Sequence, residues 1–285
     1  MPPTSLKPEI RMEGILLGET PRWHNGRLWF GDWVAGKLIT LDPSGHHEVV
    51  AEIDSLPFSI DWLPDGRLLV VNARLNTLQR REPDGRFVTH ADLAGLSPHG
   101  CNEIVVDGRG NIYLNNINFR FPGGDYAPGF IALLRPDGTL VKFPFELAFP
   151  NGMAITPDNR TLIVAESFSQ VLTAFDIAAD GTLSNRRVWA KLDHGGDGIC
   201  IDAEGAVWTP AGAKCIRVRE GGEVLQRIDL DRFCFACMLG GDDGRTLYIV
   251  AANWTGSTDL AGTAPSGQIQ TMRVDTRHAG YPASG

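Results

Sequence analysis

The sequence predicts an all-β protein, a six-bladed β-propeller with about four antiparallel strands per blade. Three observations predict it. The 285 residues include 33 glycines and 18 prolines, about 18% against roughly 12% in an average protein, an excess that weakens helices and suits short strands joined by tight turns. An apolar run, a Gly/Asp/Asn turn and a second apolar run recur six times along the chain. A second set of turns follows further out in the units, so each unit holds about four strands. Radial repetition of such units leaves no long exposed sheet edge.

The units follow in order. The first begins Gly18-Glu19-Thr20-Pro21-Arg22-Trp23 and turns at Asn25-Gly26-Arg27. In the second, Pro57-Phe58-Ser59-Ile60-Asp61-Trp62 precedes Asp65-Gly66-Arg67. The third runs from Cys101-Asn102-Glu103 through Ile104, Val105 and Val106 to Arg109-Gly110-Asn111. The fourth leads Phe149-Pro150-Asn151-Gly152-Met153-Ala154 into Asp158-Asn159-Arg160, with apolar runs from Thr161 and from Val171 behind it. Gly196-Asp197-Gly198-Ile199 opens the fifth, which turns at Glu204-Gly205-Ala206. Cys234-Phe235-Ala236-Cys237 opens the sixth, which turns at Asp243-Gly244-Arg245. The turn centres lie 40, 44, 49, 46 and 39 residues apart. The outer turns are centred near Gly45, Gly85, Gly138, Gly181 and Gly222. Asn-Gly and Asp-Gly supply the positive φ that such turns need. The run from Glu13 to Leu17 is expected to complete the last blade and close the ring. With no linker or shift of composition, residues 1–285 read as a single domain, with the propeller at about 14–275 and short tails. The stretch 255–267 reads as a loop and the residues after Val274 as a frayed tail.

Composition excludes several functions. The net charge is −8 and no Lys/Arg cluster appears, so the basic footprint of a nucleic-acid binder is missing. The five cysteines are odd in number, and the Cys234/Cys237 CxxC pair lacks the second ligand pair of a zinc site, so buried structural thiols are expected. No apolar run approaches the ~18 residues of a membrane span, and no signal-peptide stretch opens the chain. The expectation is a cytoplasmic protein without a membrane partner. Gly31 to Leu38 resembles a P-loop, but Leu38 replaces the required Ser or Thr. The G-x-S-x-G elbow of serine hydrolases and the H-E-x-x-H of zincins are absent. His46 and His47 follow a turn and are expected in solvent.

In a propeller the innermost strands line a central channel, and the residues just before them reach one end of it. At equivalent positions four units offer oxygen donors: Glu19, Asn102, Asn151 and Asp197. Carboxylates crowded on an axis disfavour joint ionisation, and a hard divalent cation relieves this. Ca²⁺ is the first choice, with Mg²⁺, Mn²⁺ and Zn²⁺ as alternatives.

The segments Gly18–Trp23, Phe149–Asp158 and Asp197–Trp208 resemble the SMP-30/gluconolactonase/LRE family of regucalcin-like six-bladed propellers, over residues 14 to 275. The resemblance implies one divalent metal held by Glu19, Asn151 and Asp197. Asn102 then lies beside it, contacting substrate or a water, and the implied activity is lactone hydrolysis with Asp197 as base. The expected function is therefore metal-dependent hydrolysis of a small lactone or related ester. A non-hydrolytic lyase, hydratase or isomerase on the same site is the first alternative, and a binding propeller with structural Ca²⁺ the second. Asn102, Glu103, His99, Phe58, Trp33 and Asn118 are candidate substrate contacts, with Phe119 and Tyr126 further aromatics at the rim. Relatives that hydrolyse sugar lactones carry Arg two residues before the Asn matching Asn102, where this chain has Gly100. A typical sugar-acid lactone is therefore not the expected substrate.

Overall fold

A computed structural model describes residues 7–254, 256 and 264–280. Among these residues, twenty-four strands, β1 to β24 in chain order, form six four-stranded antiparallel sheets arranged as the blades of a ring. The first blade holds β2 (Gly18–His24), β3 (Arg27–Asp32), β4 (Lys37–Leu41) and β5 (His47–Glu52). The second holds β6 (Phe58–Trp62), β7 (Leu68–Asn72), β8 (Thr77–Arg81) and β9 (Phe87–Asp92). The third holds β10 (Glu103–Val106), β11 (Ile112–Asn116), β12 (Phe130–Leu134) and β13 (Leu140–Lys142). The fourth holds β14 (Pro150–Ile155), β15 (Thr161–Glu166), β16 (Val171–Ile177) and β17 (Leu183–Lys191). The fifth holds β18 (Cys200–Ile201), β19 (Val207–Pro210), β20 (Lys214–Val218) and β21 (Val224–Asp229). The last holds β22 (Phe233–Gly240), β23 (Thr246–Ala252) and β24 (Gly267–Arg273), and its outer strand is β1 (Glu9–Ile15) from the beginning of the chain.

The turns fall where the sequence places them. The six inner turns each carry a residue of positive φ, as at Gly66 (84°) and Asn159 (57°). The outer turns number five because the sixth outer strand, β1, reaches β24 from the other end of the chain, pairing Glu9 with Thr271 and Ile15 with Gly267. Residues after Val274 are not frayed as far as Gly280. His278 bridges to Asp202, and the Ala279 amide donates to the Ile201 carbonyl at 3.1 Å. Backbone pairing there docks the chain beneath the fifth blade. Most of the stretch 255–267 lies outside the described residues.

The core lies between successive blades. Tyr113 and Phe175 pack in one such layer and Trp208 in another, each fully buried. The five cysteines are buried and unpaired as disulfides, four of them in the layer around Trp208. Burial raises the Cys200, Cys215 and Cys237 thiols well above their ordinary range, which suits inert packing. Among the described residues no helix is long and apolar enough to cross a membrane.

Each inner strand is the first of its blade's meander, so all six begin at the same end of the axis. That end also collects the connections between second and third strands. The longest described one is residues 117–129, between β11 and β12.

Candidate metal-centred active site

Glu19, Asn151 and Asp197 stand at or just before inner strands, and local backbone features aim them at the axis. A register shift between Glu19 and Arg22 breaks the β2–β3 ladder, and Thr20 takes a φ of 49° inside it. A second shift lies between Pro150 and Met153, next to Phe149 at φ 61°. Such bulges re-aim side chains at strand ends. Gly152 is the other device: a Cβ there would overlap the carbonyl oxygen of Asp197. Without one, the fourth blade closes on the fifth and brings Asn151 beside Asp197.

Glu19, Asn151 and Asp197 come together: the two carboxyls feel each other's charge and Asn151 donates to Asp197. Glu19 is only 5% exposed. Burial, followed by the charge of Asp197, holds its carboxyl well above the usual range. Burial and then the charge of Glu103 do the same to Asp197, against a hydrogen bond from Asn151. Oδ1 of Asp197 is buried with no hydrogen-bond partner. Asn102 donates its backbone N–H to the Asn115 carbonyl at 2.9 Å, and the Asn115 amide donates to the Asn151 carbonyl at 2.5 Å. Asn115 thus ties the third blade to the fourth. Its Oδ1 is also buried and unpartnered.

Below these residues lies a buried polar network centred on Glu103, which the sequence reading singled out only as a candidate substrate contact. Arg22 donates to Glu103 at 2.8 Å and to the Ile104 carbonyl at 2.9 Å. Ser59 donates to the same carboxyl oxygen and shares a 2.8 Å hydrogen bond with Thr20. Glu103 is therefore a buried neighbour of the site, ion-paired to Arg22. Asp61, on the same side as Arg22, is pushed up to about 6 by burial. On the other flank, Asn151 donates to Ser167 at 3.4 Å, and Ser167 donates to the Gly196 carbonyl at 2.7 Å. The sixth blade contributes Cys234, whose thiol senses the charges of Asp197 and Glu19. The residue types at these positions are visible in the sequence, but their convergence depends on which blades touch.

A cavity of about 950 Å³ opens at this end, lined in part by Trp33, His99, Gly100, Asn102, Phe119 and Phe121. His99, Trp33 and Asn102 are thus among its walls. Phe58 does not: its ring is fully buried in the core layer with Leu38 and Ile60. A ring packed there cannot contact a substrate, so its assignment as a contact is corrected. Its backbone carbonyl accepts from Trp33 Nε1 at 2.6 Å and so positions that indole. Asn118 clamps its own loop, accepting from Ser97 and donating to the Pro128 carbonyl, both at 3.1 Å.

The donor set suits a hard cation. Two buried carboxyls that resist ionisation, amide oxygens beside them and one unpartnered carboxyl oxygen need positive charge, not further burial. Among the described residues no three His, Cys, Asp or Glu side chains form a cage, so the fit rests on mixed carboxylate and amide oxygens.

The SMP-30/Gluconolactonase/LRE-like region family model matches residues 17–253. The chain belongs to this family. Among members of this SMP-30 group, a regucalcin of Bos taurus is 32% identical over 269 residues, 87% of this chain and 88% of the relative. The pentonolactonase XacC of Haloferax volcanii is 26% identical over 283 residues, covering 93% of each chain. A solved regucalcin of Agrobacterium tumefaciens, a calcium-binding protein, superposes with a TM-score of 0.80 at 18% identity, over 98% of this chain and 97% of the other. That last likeness shows the shared six-bladed fold.

Proposed function

We propose that this SMP-30 family member is a divalent-metal-dependent hydrolase of a lactone or related ester. The observation that carries the reading is the pair of buried, mutually repelling carboxyls, Glu19 and Asp197, with Asn151 donating to Asp197, while Asn102 lines the cavity at the same end of the ring. The lactonase among its relatives supports the reaction class.

Glu19, Asn151 and Asp197 would hold the cation, with Ca²⁺ favoured by the hard oxygen donors. When bound, such an ion polarises a carbonyl and lowers the pKa of a nearby water. Beside such a charge Glu19 and Asp197 would both be carboxylates. The unpartnered Oδ1 of Asp197 then accepts the proton of the attacking water. The new C–O bond forms at the carbonyl carbon, and the Asn102 amide donates to the developing oxyanion. As the ring C–O bond breaks, the proton held by Asp197 passes to the leaving alkoxide, giving a hydroxy acid. Glu103 stays paired with Arg22 and Ser59 and keeps negative charge near the base.

Chelation of the purified protein should abolish lactone hydrolysis, and Ca²⁺ or another divalent ion should restore it. Asp197→Asn should lower kcat by about 10²–10⁴-fold while leaving the fold intact. Full activity after both treatments would rule the assignment out.

A further inference from the structure

We propose that an aromatic wall beside the site selects lactones or esters bearing an aryl or branched alkyl group, with Phe121 and Phe168 as its specificity-determining contacts. The substrate class rests on the hydrolase reading above; the wall itself rests on separate observations.

Five rings make the wall. Phe119 lies at its centre, with ring centroids 5.6 Å from Tyr126, 5.8 Å from Phe149 and 6.2 Å from both Phe121 and Phe168. Phe149 stacks on Phe168 at 4.6 Å and meets Phe121 edge-on at 4.9 Å. Despite this packing, Phe121, Tyr126 and Phe168 remain 44%, 54% and 53% exposed. A contiguous patch of rings left in water marks a surface meant for a ligand.

Its position assigns the ligand. Phe119, Phe121 and Tyr126 come from the long β11–β12 connection, Phe149 precedes Pro150 of β14, and Phe168 lies between β15 and β16. All three segments are at the end where the inner strands begin. Phe149 is two residues from Asn151, and Phe168 follows Ser167, which accepts the Asn151 amide. Phe119 and Phe121 line the same cavity as Asn102 and His99. The wall is therefore continuous with the polar site, and one molecule can place its carbonyl at the polar end and an apolar substituent on the rings.

Two further facts favour an apolar body. The backbone of Ala73 fills the space beside Gly100, so no cationic side chain can project there. Hydroxyls of a sugar lactone laid against ring faces would lose water without gaining partners. The wall is also preformed. Asn118, at φ 63°, accepts from Ser97, donates its side-chain amide to the Pro128 carbonyl and donates its backbone N–H to Asn116 Oδ1 at 2.6 Å. These bonds fix the loop that carries three of the rings, which lowers the ordering cost of binding.

The test compares dihydrocoumarin, γ-butyrolactone and glucono-δ-lactone as substrates of the Ca²⁺-loaded protein. Binding of an aryl lactam that cannot be hydrolysed is titrated in parallel. Phe121→Ala and Phe168→Ala are made at exposed rings, where the fold tolerates loss of the side chain. Wild type is expected to favour dihydrocoumarin over glucono-δ-lactone by at least tenfold in kcat/KM, and each variant should lower the dihydrocoumarin to γ-butyrolactone ratio by about tenfold, mostly through KM. The lactam should bind more weakly to both variants. If no lactone is turned over but the lactam binds and weakens in this way, the wall stands and the hydrolase reading falls. If both variants bind the lactam as wild type does, the wall is overturned whatever the turnover.

Discussion

At Gly100 the Ala73 backbone occupies the space that a Cβ would take, overlapping its carbonyl oxygen and its Cα. The absence of arginine at this position is thus built into the approach of the second blade to the third, and is not a single exchange that can be reversed. Gly100→Arg should not create a sugar-lactone site. Both Gly100→Arg and the smaller Gly100→Ala should cost about 1–3 kcal/mol or more through overpacking. Urea denaturation of the two variants checks this, and wild-type stability in Gly100→Ala would show that the Ala73 backbone yields easily. Thr20 illustrates the opposite relation. It lies within the Gly18–Trp23 motif, yet its left-handed backbone and its bonds to Ser59 and the Ile60 amide emerge only when two blades meet.

At the scale of the element, cross-blade hydrogen bonds set how the sheets stack. Tyr113 on β11 is fully buried, and its hydroxyl donates to the Gly181 carbonyl, in the β16–β17 turn, at 2.9 Å. Burial pushes this phenol well above its ordinary range, so it stays a donor at all working pH values. Tyr113→Phe leaves the Gly181 carbonyl unpaired and should lower stability by about 1–3 kcal/mol. Thermal denaturation reads this directly, and an unchanged melting temperature would mean that water replaces the hydroxyl. Elements of this kind also show what the sequence discloses. The inner turns were legible because each needs positive φ, and Gly66 and Asn159 are residues that tolerate it. Asn102, Asn151 and Asp197 stand out in the sequence because each lies eight residues before its turn centre, and Glu19 because it lies seven before its own. Ser59 and Arg22 do not, because nothing local distinguishes them from ordinary strand residues. Phe58 was misread for the same reason: its register matches the site, but Gly31 of the first blade leaves room for its ring to pack inward.

For the molecule as a whole, closure of the ring concentrates negative charge on the axis, and this charge couples stability to pH and to metal. Burial holds Glu19 and Asp197 well above ordinary carboxyl values, reinforced by Asp197 on Glu19 and by Glu103 on Asp197. Groups with raised folded pKa values keep protons that the unfolded chain has already released above about pH 4. Their contribution to stability is therefore fully present below that value and is lost as pH rises through the folded values. His24, His90 and His278 are lowered, chiefly by burial, and act in the opposite direction as pH approaches about 6.5. The cation separates the two effects, since it replaces protons only on the carboxyls. Its stabilisation should therefore grow with pH, because fewer protons compete for Glu19 and Asp197. Melting temperatures with and without Ca²⁺ at about pH 5 and about pH 7.5 isolate this difference, because the histidine contribution cancels at each pH. At a hundred times its Kd the ion should add about 2.7 kcal/mol, so at a fixed concentration the gain should be larger at the higher pH. In Asp197→Asn the gain should be smaller and less dependent on pH. A gain that is equal at both pH values in the wild type would place the cation away from these two carboxyls.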